Sequence, residues 1–510
     1  MATTKRFAFN VVMNWLSMGV GMLVPFFLTP VVIHHLGATA YGVWILAVST
    51  VAYLNLLDLG LRSAVIRYVS KADAQGNVEE AQKAIGAALW FRLLIAAGAV
   101  ILSMLLAAVF PHLFKVPADL ARAAQITVLF CALGVAITLV TGVYGAVLGA
   151  VHRFDVLSGV SVAQTLARAG GVILILRSGH GLVTLAYWEF AVVFAAGLTT
   201  WLSAMKIYPA CRVRLGKPDF ETLKKIWSYS MTTFIIVIAV QVVFNTDNLV
   251  VGAFLSVGIV AFYSIGGSLV AYSRQIVSAM ATTFIPMASG MEASGKSGQL
   301  QRLLVRGTQA TLALALPISV ALLFRGKTFI GLWMGPQYSE ISGNVLRILM
   351  ISQFFGIANT TAGQIAFGVE KHKAMARWAI IEAGLNLGLS ILLVKTIGLY
   401  GVAWGTAIAT VLAHLIFWPR FVQRELGVPA RIYIWDGWIK VTVCAIPYGF
   451  ACAYADKHWH AGSMLVFFSQ VLVILPIYVV CVLLVFRNDV VKGWQMWRGS
   501  KQLDTQASSA

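Results

Sequence analysis

Charged residues are scarce in this amino-acid sequence. Asp, Glu, Lys and Arg together make up 11% of its 510 residues, whereas hydrophobic residues make up 59%. A soluble chain of this length could not cover its surface with so few charges. The composition therefore excludes an ordinary soluble protein and indicates a chain that crosses a membrane many times.

Several motifs of catalytic and metal-binding proteins are also missing. The chain has no P-loop, no HExxH and no GxSxG motif, which argues against ATP hydrolysis and against common hydrolase sites. Its five cysteines are scattered without a CxxC pair, so we infer neither a disulfide nor a metal site. His34, His35, His458 and His460 are expected in external turns, where polar residues are ordinary. We therefore expect no enzymatic activity and no cofactor.

Apolar runs of about 20 residues recur along the whole chain, and each could cross a bilayer. We predict an all-α polytopic membrane protein with about 14 transmembrane helices. Lys5 and Arg6 precede the first run as they would in a signal peptide, but the run continues to Ile33 without a cleavage site. It is therefore predicted to be a retained span. The predicted spans lie near 8–33, 40–62, 82–110, 121–147, 155–177, 182–205, 227–254, 258–287, 303–325, 343–369, 374–395, 399–419, 434–455 and 462–486.

The net charge of +19 comes from basic residues that are spread through short loops. Such a distribution is typical of membrane topology and of contact with membrane lipids, and it argues against a nucleic-acid partner. Assigning alternate loops to alternate sides predicts that both termini are cytoplasmic. The most basic loop, 206–225, would then lie on the cytoplasmic side.

One stretch of the sequence occurs twice. A shift of 219 residues superposes 36–82 on 255–301 without a gap, and a shared Val-Ala-Tyr triplet is the clearest anchor. The same shift carries Gly149 onto Gly368 and Gly179 onto Gly398. Parallel repeats of this kind are typical of transporters whose two halves enclose a site. We predict two six-helix lobes, two additional helices and a cytoplasmic tail, at 1–215, 220–428, 432–486 and 487–510.

Ionisable residues inside the predicted spans are candidate functional groups, because such groups are costly in a bilayer. The candidates are Asp58, Glu189, Asp247, Glu382, Arg62, Arg92, Arg168 and Arg274. Asp58 and Arg62 are four residues apart, so a structural ion pair on one helix is as plausible as a functional role. The repeat superposes Asn55 on Arg274, which predicts a polar cavity wall in both halves.

Two of the arginines, Arg168 and Arg274, have no acidic residue three or four positions away on their own helices. In a cavity, such guanidinium groups would bind phosphate or pyrophosphate, although they could instead neutralise buried carboxylates. Asp247, which lies between Asn245 and Asn248, could bind and release a proton or a sodium ion. Its structural alternative is a hydrogen bond to one of the arginines.

Several segments resemble a known transporter family. They are LGATAYGVW, LLDLGLRSAVIRYVS, TDNLVVGAFLSVGIVAFYSIGGSL and GVEKHKAMARWAIIEAGLNLGLSILLVKTIGLYGVAWGTAIATVL, and they cover most of 1–430. In this order they resemble the polysaccharide transporters, or Wzx-type flippases, of the multidrug/oligosaccharidyl-lipid/polysaccharide flippase superfamily. The resemblance implies two six-helix lobes around a cavity, often with two further helices.

The resemblance also implies a function. It is the translocation of undecaprenyl-pyrophosphate-linked oligosaccharides across the inner membrane, by alternating access, for O-antigen, capsule or exopolysaccharide export. The pyrophosphate would be attracted by Arg62, Arg92, Arg168, Arg274 and Asn55. Coupling to a proton or sodium ion, or charge balance, would involve Asp247, Asp58, Glu189 and Glu382. Glycosyltransferases and a polysaccharide polymerase would be partners.

Two other functions are considered. The first is a multidrug or cation antiporter of the same superfamily, whose site should be dominated by acidic and aromatic groups rather than by arginines. The second is a membrane glycosyltransferase or ligase. That class normally needs a long external loop with catalytic residues, and the loops of this chain are at most about 20 residues long.

Overall fold

The computed structural model describes residues 2–58, 60–212, 237–243, 245–371 and 373–487. Every regular element within these ranges is helical. Eleven helices are long and apolar enough to cross a membrane, or twelve if one bent pair counts as a single span. The predicted all-α polytopic fold is thus confirmed, whereas the number of fourteen spans stays a prediction. Most of the predicted basic loop, 206–225, and of the tail, 487–510, lies outside the described residues.

The first part of the chain forms six helices. Helix α1 covers the first predicted span and the first part of the second, and its path is broken at Gly37, whose φ of 77° is not helical. A 3-10 helix, Tyr53–Asp58, separates α1 from α2. The bounds are α1 Ala2–Ala52, α2 Leu61–Ala74, α3 Val78–Leu113, α4 Ala118–Ala150, α5 Phe154–Arg177 and α6 Leu182–Ile207.

The second part continues with ten helices in the described ranges. Helices α7 and α8 form the bent pair and meet at 45°. The predicted span 258–287 is occupied by α9 and the start of α10. The bounds are α7 Val237–Val243, α8 Asn245–Phe254, α9 Val257–Ala281, α10 Phe284–Ala293, α11 Ser297–Met334, α12 Pro336–Gly368, α13 Lys373–Ile397, α14 Leu399–Glu425, α15 Ala430–His458 and α16 Met464–Val485. Helix α15 contains a π-helical segment, Tyr433–Ile439.

Polar side chains fix where some of these helices begin. The Oδ1 atom of Asn77 accepts a hydrogen bond of 3.0 Å from the backbone N–H of Glu80 at the start of α3. The Oγ atom of Ser463 accepts one of 3.3 Å from the N–H of Val466 at the start of α16. Each bond satisfies a backbone donor that has no partner within its own helix.

Glycines that the sequence shift superposes adopt the same unusual backbone conformation. Gly76 and Gly295 have φ values of 67° and 65°, and Gly179 and Gly398 have values of 75° and 63°. Residues with a side chain rarely adopt this left-handed conformation. Corresponding turns of the two copies are therefore built in the same way.

A packing contact also recurs at corresponding positions. A Cβ atom on Gly149 would lie 3.4 Å from the side chain of Ile66, and one on Gly368 would lie 2.6 Å from the carbonyl oxygen of Ile285. The shift superposes Ile66 on Ile285 and Gly149 on Gly368. At Gly368 the glycine is required for α10 to lie against the end of α12, whereas at Gly149 a Cβ atom would make an ordinary van der Waals contact with α2.

The chain divides into two compact units. The first consists of Met1–Ile265 and Met375–Thr406, and the second of Gly266–Ala374 and Ala407–Ala510. One hydrophobic cluster of the first unit is formed by α2, α3, α4 and α6, and small residues such as Ala88, Ala146 and Ala204 let these helices approach closely. The lobe, helix-pair and tail boundaries proposed from the sequence stay predictions.

Candidate functional site

A buried carboxylate, that of Asp247, is the centre of the candidate site. It lies in the first turn of α8, and the residue is 7% exposed. Its Oδ2 atom accepts hydrogen bonds from the Tyr263 hydroxyl on α9 at 2.6 Å and from the Thr406 hydroxyl on α14 at 2.8 Å. All three residues belong to the first unit. The carboxylate is thus held by neutral donors.

The hydrogen-bond network continues beyond these two hydroxyls. Asn386 on α13 donates from Nδ2 to Thr406 Oγ1 at 2.9 Å. Next to Asp247, Asn248 donates to the Ser49 hydroxyl on α1 at 3.2 Å. The network therefore joins α1, α8, α9, α13 and α14, which fixes the position of the carboxylate.

Oxygen atoms in this network remain without a donor. Asp247 Oδ1, Asn248 Oδ1 and Asn386 Oδ1 are buried and have no hydrogen-bond partner in the described part of the chain. A buried, ionised carboxylate is costly unless a proton, a cation or further donors neutralise it. Asp247 is therefore chemically suited to bind a proton or a cation at Oδ1.

The ligand types restrict which cation could bind there. Among the described residues, no group of three or more His, Cys, Asp and Glu side chains could hold a metal ion. One carboxylate with hydroxyl and amide neighbours is a poor site for a transition metal, which prefers imidazole or thiolate ligands. The chemistry favours a proton or a hard cation such as sodium.

A second charge within the predicted spans, that of Arg168, is paired. Its Nε and Nη2 atoms donate to the two carboxylate oxygens of Glu189 at 2.7 and 2.6 Å, which joins α5 to α6. The side chains are 37% and 18% exposed. A search along one helix could not find this partner, because it lies on the next helix, 21 residues away.

Close packing of α5 and α6 supports this ion pair. Trp188, the neighbour of Glu189, donates from its indole N–H to the carbonyl oxygen of Ala167 at 3.2 Å. A side chain at Gly171 would overlap the Trp188 ring. The glycine therefore permits the approach that brings Arg168 and Glu189 into contact.

The possible ion pair between Asp58 and Arg62 does not form as expected. Asp58 ends the 3-10 helix, and Gly60 has a φ of 71° at the start of α2, so the two residues are not on one continuous helix. Asp58 instead accepts a hydrogen bond from Arg92 on α3, whose side chain is 2% exposed. Arg62 is exposed.

The remaining candidates are Asn55, Glu382 and Arg274. Asn55 is exposed on the 3-10 helix, and Glu382 is partly buried on α13 of the first unit. Arg274 is partly buried on α9 and belongs to the second unit. Their roles stay predictions.

Sequence reasoning missed Tyr263, Thr406 and Asn386, which complete the Asp247 centre. Apart from Asn55, its candidates were all ionisable residues within the spans. Uncharged polar residues in apolar runs were the available signal, and Asn386 in the run LNLGLS is the clearest example. Such groups also need a hydrogen-bond partner when they are buried in a membrane protein.

The chain is similar in sequence to a known protein family and to several known proteins. The family described as "Polysaccharide biosynthesis protein" matches residues 7–292. The "Uncharacterized membrane protein EpsK" of Bacillus subtilis (strain 168) is 23% identical over 454 residues, which are 84% of this chain and 85% of that protein. The "Putative O-antigen transporter" of Shigella flexneri is 22% identical over 384 residues, which are 75% and 89% of the two chains.

Among solved structures, the fold is similar to that of "Lipid II flippase MurJ, inward closed conformation". The TM-score is 0.75 at 16% sequence identity, and the match covers 94% of this chain and 99% of the other. At this identity the match shows the fold alone. The chain thus has the all-helical architecture of a membrane transporter.

Proposed function

Because the chain belongs to the polysaccharide biosynthesis protein family, we propose that it is a flippase for lipid-linked oligosaccharides. Its substrate is an oligosaccharide unit on undecaprenyl pyrophosphate, which it moves across the inner membrane for the export of O-antigen, capsule or exopolysaccharide. Glycosyltransferases supply this substrate, and a polysaccharide polymerase consumes the product. The names of the O-antigen transporter and of the lipid II flippase support this substrate class.

The proposed mechanism rests on the Oδ1 atom of Asp247, which is buried and accepts no hydrogen bond from the described residues. A proton or sodium ion bound there neutralises the carboxylate, while Tyr263 and Thr406 continue to donate to Oδ2. Ion occupancy therefore changes the charge that is buried in the unit. An ion that binds one conformation more tightly than another shifts the population between them, so an ion gradient can drive alternating access.

The other acidic candidates differ from Asp247 in their partners. Asp58 and Glu189 contact the guanidinium groups of Arg92 and Arg168, so their charges are already neutralised. We assign these two carboxylates to charge balance. Glu382 stays a candidate for either role.

The candidate pyrophosphate groups differ in their access to a substrate. Arg62 is exposed and can contact an anion directly, whereas Arg92 is buried and holds Asp58. Arg168 is half-exposed, and while its Nε and Nη2 atoms hold Glu189, its Nη1 atom can still donate to a phosphate. We therefore favour Arg62 and Arg168 as substrate contacts, and Arg274 and Asn55 stay candidates.

Complementation of a strain that lacks the gene tests this function. Loss of the gene should abolish surface polysaccharide and trap the lipid-linked intermediate in the cytoplasmic leaflet. Arg62→Ala and Arg168→Ala should each reduce export, whereas Lys395→Ala, an exposed lysine at the end of α13, should not. Normal export without the gene would overturn the function. Normal export by both arginine variants at wild-type protein levels would overturn only the pyrophosphate site.

A further inference from the structure

The last two helices border an open groove that contains none of the residues assigned to transport. It lies between α15 and α16 in the second unit and has a volume of about 760 Å³. Ala451 and Ala455 supply small side chains to it, and Phe450 and Val473 supply large ones. The groove extends along α15 from Phe450 to Trp459, beside the short turn that leads to α16.

The walls of this groove are apolar and accessible. Phe450 is 73% exposed, Val473 is 66% exposed and Tyr454 is 60% exposed. Large exposed apolar side chains on a membrane-spanning helix face hydrocarbon or an apolar ligand rather than water. The groove is therefore suited to a hydrocarbon chain.

One end of the groove has a different chemistry. Lys457 and His458 lie in the last turn of α15, and the His458 ring lies against that of Tyr454 with centroids 4.5 Å apart. Trp459 lines the same end. Tryptophan, tyrosine and lysine are the residues that favour the boundary between hydrocarbon and headgroups. This end therefore marks the membrane surface.

The positive charge at this end is not neutralised by the neighbouring carboxylate. Asp456 is turned towards α11, where it accepts a 2.6 Å hydrogen bond from Thr328 and lies 3.9 Å from Arg325. Lys457 forms no ion pair within the described residues, and it is exposed. The end of the groove can thus attract an anion.

We propose that this groove binds a phospholipid with an anionic headgroup. Its phosphate lies beside Lys457 and His458, and an acyl chain lies between Phe450 and Val473. The groove from Phe450 to Trp459 is about 14 Å long at the helical rise per residue, about half of the roughly 30 Å hydrocarbon core. A site one leaflet deep with a cationic end has the dimensions and charge of a single membrane lipid.

Native mass spectrometry of the full-length protein tests this site. The protein is titrated with phosphatidylglycerol and with phosphatidylcholine that carry identical acyl chains. We expect about fivefold tighter binding of phosphatidylglycerol, the effect of one lysine near an anionic lipid. Lys457→Gln should reduce this preference to near unity. Lys395→Gln, which removes an exposed lysine in the last turn of α13, is the matched control and should leave it unchanged.

A second variant tests the hydrocarbon part of the site. Ala451→Leu fills the groove and should weaken the binding of both lipids equally, without changing the preference between them. Equal affinity for the two headgroups, or an unchanged preference in Lys457→Gln, would overturn the proposal. It would also be overturned if an uncharged polyprenol, or self-association of the protein, displaced phosphatidylglycerol at equal concentration.

Discussion

Asp247 and Glu189 are carboxylates of the same unit, but their surroundings differ. Glu189 receives two hydrogen bonds from the guanidinium group of Arg168, one to each oxygen. Asp247 receives two from hydroxyl groups, both to one oxygen, and its other oxygen has none within the described ranges. The charge of Glu189 is therefore neutralised by Arg168, whereas the carboxylate of Asp247 has only hydroxyl partners among the described residues.

This difference separates a structural charge from an exchangeable one. An ion pair of good geometry keeps both partners charged, so it strengthens the contact between α5 and α6. A carboxylate that only hydroxyls hold can change its charge state when an ion binds or leaves. We therefore propose that Asp247, rather than Glu189, couples an ion gradient to transport.

The largest effect on stability should come from breaking the pair. Arg168→Leu leaves Glu189 charged and without its partner, and it should lower the free energy of unfolding in detergent by about 2 kcal/mol. This is less than for a fully buried pair, because the Arg168 side chain is 37% exposed. The double variant Arg168→Leu/Glu189→Leu should recover most of the loss. A double variant as unstable as the single one would contradict the assignment of a structural pair.

Ion binding should stabilise the protein through Asp247 by a somewhat smaller amount. At a tenfold excess over its dissociation constant, the coupling ion should add about 1.4 kcal/mol to the free energy of unfolding. Asp247→Asn should remove this gain, because the neutral amide attracts no cation. Thermal unfolding in sodium or choline chloride, and over a range of pH, provides the measurement.

Two further variants sharpen this comparison. The ion-dependent gain should persist in the double variant at Arg168 and Glu189. It should also persist in Asp119→Asn, which makes the same chemical change at an exposed carboxylate of α4. If the ion-dependent gain in the free energy of unfolding survived in Asp247→Asn, or disappeared in the double variant, the roles assigned to Asp247 and Glu189 would be reversed.

The smallest effect should come from removing one hydroxyl donor. Thr406→Val leaves the ion-free carboxylate with the Tyr263 hydroxyl alone, at a cost of about 1 kcal/mol. Because that bond is stronger to the ion-free, charged carboxylate than to the ion-bound one, its loss should tighten binding of the coupling ion by about fivefold. Thr200→Val, whose hydroxyl bonds its own helix at Ala196, is the control. Weaker ion binding by Thr406→Val would instead mean that the Thr406 oxygen contacts the ion.

The sequence was sufficient to predict the membrane fold and to include Asp247 among eight ionisable candidates, because an apolar span makes any charge conspicuous. It could not identify the partners. Arg168 finds Glu189 on the next helix, and Tyr263 and Thr406 come from α9 and α14, so their meeting depends on packing. The spacing of Asp58 and Arg62 was misleading, because Gly60 interrupts the helix on which an i, i+4 pair depends.

Transport in reconstituted vesicles tests the central claim most directly. The purified protein is incorporated with a lipid-linked oligosaccharide, and the fraction that reaches the opposite leaflet is followed with and without a sodium or proton gradient. The wild type and Asp119→Asn should transport faster with one of these gradients. Asp247→Asn should transport at one rate whatever gradient is applied. An unchanged response to the gradient in Asp247→Asn would contradict the coupling role of this carboxylate.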